Sequence, residues 1–345
     1  MTDKDYDKLK QIEVLFRVSR VTIFMKAVLH FSNLWITTVM KPLLSILALF
    51  ILSSSFAQQK FNDSSANYVA NWKKGESKIF YMAHNKESYE GGELRSQFNF
   101  GYEAHVTILD STEDSYTIQW VFELPAKLKE NNPRYADSLT AFNGMKMLFT
   151  TSENGEFKEL INWQEVRDAY IKMMEFSLPK KMDSTAIKIL AQSKAMFNSK
   201  SMVETALIRE IQLFYAPYGY SFNKKGMSAA AELPNPFGGA PLPAVITSTI
   251  TNLNPQQDNF TLVISQDIDK NGAQKFFEEF FKRADLPNEK AKEEAKKVVA
   301  GLEIKDYSEY QFIPSIGFPK RISFKRTVKS GDKTNTDSYI IEIKE

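Results

Sequence analysis

Residues 97–124 read QFNFGYEAHVTILDSTEDSYTIQWVFEL, and this stretch decides the fold class. Phe98, Phe100, Tyr102, Ala104, Val106 and Ile108 alternate with Gln97, Asn99, Gly101, Glu103, His105 and Thr107. After a polar turn at 111–114, Tyr116, Ile118, Trp120, Phe122 and Leu124 repeat the alternation. Successive side chains of a strand point to opposite faces, so each segment has one buried and one wet face. Sheets of that kind are usually antiparallel. Gly91-Gly92 supplies the turn before this stretch, and residues 77–124 predict a three-stranded meander.

Downstream, residues 145–151 and 156–161 flank Glu153-Asn154-Gly155. Asn-Gly accepts the positive φ angles of a tight hairpin. The second arm leads into a helix, with Asn162 as cap, Glu165 three residues on, and Trp163, Val166, Tyr170 and Met173 on one face. Pro179 ends it. Asp183 opens a second helix reaching Phe197, and Ser201 with Glu204 starts a third whose stripe is Val203, Leu207, Ile211 and Phe214. Residues 216–243 are rich in Pro, Gly and small side chains and read as an ordered irregular loop or bent edge strand. Strands at 245–251 and 260–265, helices at 272–284 and 288–300, and strands at 304–313, 321–329 and 339–343 complete the chain. The expectation is one α+β domain over 58–345, a curved antiparallel sheet from both ends of the chain packed against a helical middle.

Ahead of that domain, residues 40–57 read MKPLLSILALFILSSSFA. Lys41, an apolar core from Leu43 to Leu52, and small residues ending in Ser55-Phe56-Ala57 have the layout of a signal peptide cut after Ala57. The core is too short for a membrane span, which needs roughly 20 residues. Residues 1–39 are then expected to be a non-native upstream extension, with translation starting at Met40; the alternative is a true extension with a membrane anchor from Ala27 to Leu52, which Lys41-Pro42 interrupts. These readings predict an exported protein, periplasmic or extracellular, that meets the membrane only through its signal peptide.

The chain carries 44 basic and 42 acidic residues, of which seven and four fall in residues 1–57. The remainder is close to neutral, with no overall field to attract nucleic acid. The absence of cysteine excludes thiolate catalysis, disulfides and cysteine metal sites.

The order of elements, with the Asn154-Gly155 hairpin feeding a helix capped at Asn162 and the LPNPFGG stretch at 233–239, resembles an uncharacterised family of exported bacterial α+β proteins. The resemblance covers most of residues 58–345 and implies the fold without an activity. The broad arrangement is also similar to that of periplasmic lipoprotein carriers, whose half-open sheet covered by helices holds acyl chains.

Among residues suited to chemistry, Asp267, Asp269, Asn271, Gly272 and Glu278 match the pattern of a calcium loop. Oxygen ligands at alternate positions around a glycine turn suit calcium. The competing reading makes Asn271 the cap of the following helix, since the preceding segment reads as strand and no second loop is present to pair with it. No other cofactor is expected. His105 falls on the polar face of its strand, and His84 lies in a strand whose face is open. The chain carries no nucleophile elbow, zinc-binding helix or phosphate loop. Phe276, Phe277, Phe280 and Phe281 cover one broad helix face, which packs on the sheet or lines an apolar ligand cavity with Phe237 on its rim. The leading expectation is a non-enzymatic binding or envelope protein, whose partner is an apolar small molecule or another envelope protein. A carrier of an apolar or lipid ligand and a carboxylate-dependent hydrolase are the alternatives.

Overall fold

The alternating stretch forms two neighbouring strands, and the computed structural model sets them in a sheet of eleven antiparallel strands. The structure describes residues 64–125, 143–177, 191, 194, 197–233, 242–275 and 301–344. The first strands are β1 (Ser65–Tyr68), β2 (Ser77–Glu90), β3 (Glu93–Ser111), β4 (Ser115–Glu123), β5 (Lys146–Ser152) and β6 (Phe157–Leu160). Helices α1 (Trp163–Ser177), α2 (Lys200–Leu207) and α3 (Arg209–Tyr215) follow. The remaining strands are β7 (Tyr220–Asn223), β8 (Met227–Leu233), β9 (Leu242–Asn254), β10 (Asn259–Ile268), β11 (Glu303–Ile313), β12 (Phe318–Ser330) and β13 (Lys333–Ile343). The large sheet runs β6-β5-β4-β3-β2-β13-β12-β11-β10-β9-β8, and β1 pairs with β7 as a separate ribbon.

This architecture overturns the expected α+β fold with a helical middle. Among the described residues 59% are strand and 18% helical. The stretch read as an irregular loop or bent edge strand supplies β7 and β8, and β8 is an edge of the large sheet. Its MSAAAEL sequence has little intrinsic strand preference. Pairing with β9, from Met227 opposite Ser248 to Leu233 opposite Leu242, makes it a strand. Residues 1–57, most of the helix expected at 183–197, and residues 276–300 lie outside the described residues. No described helix is long and apolar enough to cross a membrane.

The sheet curls around its core. Phe149 on β5 meets Tyr215 at 5.2 Å between ring centres, Tyr215 meets Tyr218 at 5.5 Å, and Tyr218 meets Phe312 on β11 at 5.9 Å. These three steps bridge strands six places apart, which a flat sheet at about 4.8 Å per strand would hold about 29 Å apart. The hollow of the curl is filled. Tyr68 stacks on Phe312 at 3.8 Å, and Trp72 touches both Tyr116 on β4 and Phe318 on β12. Trp72 Nε1 and the Tyr218 hydroxyl both donate to the Gly317 carbonyl, at 2.9 and 2.8 Å. Tyr310 donates to the Leu213 carbonyl at 3.2 Å, and Tyr170 to the Leu207 carbonyl at 3.0 Å. Buried phenols and indoles need such partners, and the Tyr310 bond ties α3 to β11 while the Tyr170 bond ties α1 to α2.

The Asn154-Gly155 hairpin has its expected place between β5 and β6. Gly155 has φ +94°, and a Cβ there would lie 2.5 Å from Tyr218 Cδ1. Two details at the helix ends depart from expectation. Asn162 does not cap α1 with its side-chain oxygen; that oxygen accepts from Leu148 N–H at 2.8 Å and ties the helix to β5. Ser199, not Ser201, caps α2, while Glu204 accepts from Leu160 N–H at 2.7 Å.

Candidate functional site

Register places one residue of each strand in rows that cross the inner face, the face that holds the core. One row is Tyr310, Ile322, Ile341, Met82 and Tyr102, all buried. The next is Ser308, Phe324, Tyr339, His84 and Phe100. Beyond it the apolar core stops. The following row is Asp306, Arg326, Asp337, Lys86 and Phe98, four charges of alternating sign on four adjacent strands with an aromatic ring at the end. Opposite charges side by side across a sheet attract. The last row, Ile304, Val328, Asn335, Ser88 and Ser96, is mostly polar. A cavity of about 420 Å³ lies over these last two rows, with Lys86, Phe98, Arg326 and Asp337 in its lining.

The charges are organised by hydrogen bonds. Arg326 donates Nε and Nη2 to the two oxygens of Asp306 at 2.7 and 2.6 Å. Burial alone would lower Arg326, but the Asp306 bonds and charge outweigh it and hold the guanidinium above its ordinary value. His84 Nε2 lies 2.6 Å from Asp337 Oδ1, and its ring stacks on Tyr339 at 4.1 Å. Burial would raise Asp337; the His84 bond, with the charges of His84, Lys86 and Arg209, reverses that and holds the carboxyl below the usual range.

Helix α3 closes this end of the core and adds two charged groups. A break at Ile208 (φ −118°, ψ 38°) separates it from α2, and Arg209 and Glu210 at its start feel the charges of the row. The Arg209 guanidinium lies 4.8 Å from the centre of the Phe324 ring. Burial, then the charge of Arg326, push Arg209 below the usual arginine value. Burial raises Glu210, partly offset by its own backbone N–H and by His84 and Arg209.

The residues singled out from the sequence do not converge here. Phe237, Phe276, Phe277, Phe280, Phe281 and Glu278 lie outside the described residues. Asp267 is in β10 and pairs with Lys305 at 3.6 Å. Asp269 Oδ1 accepts from Gly272 N–H at 2.7 Å, so Asp269 rather than Asn271 caps the helical turn beginning at Lys270. Among the described residues no group of three or more histidines and carboxylates is placed to hold a metal. His105 faces the other side of the sheet, 2.7 Å from Glu123. No serine hydroxyl bonds to the His84 ring among the described residues.

Sequence reasoning passed over Asp306, Arg326 and Asp337, although a signal was there. Each occupies the apolar phase of its strand, as the sequences Asp306–Ser308–Tyr310–Phe312, Ile322–Phe324–Arg326 and Asp337–Tyr339–Ile341 show. A charge on the core phase of a strand marks the edge of a core or a site.

No protein-family model matches the chain, and no curated protein matches it. Among solved structures the chain is similar to the crystal structure of Rv2717c from M. tuberculosis. That match has 8% identity and a TM-score of 0.20, and covers 77% of this chain and 91% of that one. At that score the likeness carries no argument about fold or function.

Proposed function

We propose that this chain is a non-enzymatic binding protein that holds a small amphipathic molecule in the groove on the inner face of its sheet. One observation carries the reading: the aromatic core ends at the Phe324–Tyr339–His84 row, and the space beyond has a charged floor and an apolar wall at Phe98. Concave sites with a few convergent polar groups beside aromatic rings suit small ligands, and about 420 Å³ falls in the ordinary size range. The filled interior argues against a large acyl ligand within the described core. The segment at 40–57 supports export, which would place the ligand outside the cytoplasm. Native mass spectrometry of the full chain tests the reading. We expect a co-purifying small molecule on the wild type that is lost from Phe98→Asp. Bare protein in every wild-type preparation, or a ligand held equally by the variant, would overturn it.

The hydrolase alternative has one observation in its favour. Asp337 lines the groove, Glu210 is electrostatically coupled to it, and the two are shifted in opposite directions, the pattern of an acid and a base. Its test is a panel of glycoside and ester substrates, with activity lost in Asp337→Asn. No turnover on the panel leaves the binding reading alone.

A further inference from the structure

We infer that the groove takes a neutral sugar ring, seated on Phe98 with its hydroxyls against Lys86, Asp337 and Arg326. The inference rests on the groove being a binding site and names the class of ligand. All four residues line the cavity. Lys86 stands opposite Phe98 on β3 and opposite Asp337 on β13, and Asp337 stands opposite Arg326 on β12. Neighbouring strands are about 4.8 Å apart. Donor, acceptor and donor therefore follow one another at short range beside an aromatic ring.

Each polar member keeps bonding capacity. Asp337 meets His84 through Oδ1 and leaves Oδ2. Asp306 occupies Nε and Nη2 of Arg326 and leaves Nη1. Lys86 is exposed, with no carboxylate at ion-pair distance among the described residues. The charges of the row balance, Asp306 and Asp337 against Arg326 and Lys86. Glu87, the remaining acid of the lining, accepts from the Tyr89 and Thr336 hydroxyls at 2.9 and 3.3 Å. A balanced row selects neither an anionic nor a cationic head. It suits a neutral group that donates and accepts at once. A hydroxyl donates one hydrogen bond and accepts two, so a single one bridges Asp337 and either cation. Bonds to charged partners are also the stronger ones. A trans secondary amide aims its N–H and C=O in opposite directions and cannot meet both partners from one side. Phe98 is 52% exposed, with its ring steadied by Phe100 at 6.4 Å and His84 at 6.2 Å. It offers a flat apolar surface to the C–H face of a sugar ring.

Isothermal titration calorimetry of the full chain with methyl β-D-glucopyranoside, cellobiose, cyclohexanol, N-methylacetamide, hexyl phosphate and hexylamine tests this. We expect the two sugars to bind at least about tenfold more tightly than the other four. Phe98→Ala and Lys86→Met should each weaken the sugars by about tenfold. Both side chains are exposed, and circular dichroism checks that both variants keep the wild-type fold. Any of the other four binding as tightly as the sugars, with that binding lost in Phe98→Ala, overturns the sugar assignment and leaves the groove reading standing. Sugars held equally by wild type and by both folded variants sit elsewhere, which overturns both. Binding by none of the six overturns the sugar assignment, and the native mass spectrum then decides the groove reading alone. Should one variant fail to fold, the other variant and the wild-type order of affinities decide.

Discussion

Asp306→Asn is the most informative single change to the charged row. The Asp306 side chain is 4% exposed and that of Arg326 32%, and two short bonds join them. The amide keeps the shape but removes the charge and turns one acceptor into a donor that faces a guanidinium N–H. Breaking a buried pair by removing one partner costs about 3–5 kcal/mol. Arg326 is close to a third exposed, and water screens the orphaned charge, so we expect about 2 kcal/mol here. For a domain of this size that is a fall of about 4–8 °C in Tm. Urea denaturation followed by far-UV circular dichroism measures it, with Arg326→Met and the double variant completing a cycle. The double variant should be more stable than the two single losses predict by about 1–2 kcal/mol. Losses that add to within about 0.3 kcal/mol, or Asp306→Asn within about 0.5 kcal/mol of wild type, would refute the view that this pair carries the end of the core.

Other outcomes follow from the same structure. Gly155→Ala should lose about 2–4 kcal/mol, since it meets both a positive φ and the Tyr218 ring 2.5 Å away, and a shift in the urea midpoint measures it. Trp72→Ala should lose about 3–5 kcal/mol, because it removes contacts with four rings and the bond to Gly317; the thermal midpoint checks it. Asp337 is depressed in the folded state, so its contribution is fully present above the unfolded value of about 3.9 and is lost as pH falls through the lower folded one. The gap between wild type and Asp337→Asn should therefore begin to narrow near pH 4 and close only below the depressed folded value, as denaturant titrations across pH would show. Calcium at about 1 mM should leave Tm unchanged, since Asp269 is committed to its cap; a rise would contradict that placement.

The strands with strong alternation were legible because burial and period coincide in them. Phe98 to Ile108 and Tyr116 to Phe122 lie in β3 and β4, and the Asn154-Gly155 turn and the Trp163 helix sit where their local chemistry puts them. The stretch at 216–243, read as irregular loop or bent edge strand, hid its sheet pairing for a physical reason. Ser228 to Glu232 has no alternating apolar side chains, and only the unpaired edge of β9 makes it a strand. The candidate site was illegible as a site because register creates it. Lys86 and Asp337 are opposite each other although 251 positions apart, and Asp306 meets Arg326 across the β11–β12 pair. Each strand alone shows one charge out of phase; the row exists only when four strands are aligned.

The central claim is that the inner-face groove beyond the Phe324–Tyr339–His84 row is where this protein meets its ligand. Amide chemical-shift mapping of the full chain on addition of cellobiose tests it most directly. The account predicts that the shifted amides cluster at Lys86, Phe98, Asn335 and Arg326. Shifts confined to the β8–β9 edge, or none on saturation, would contradict it.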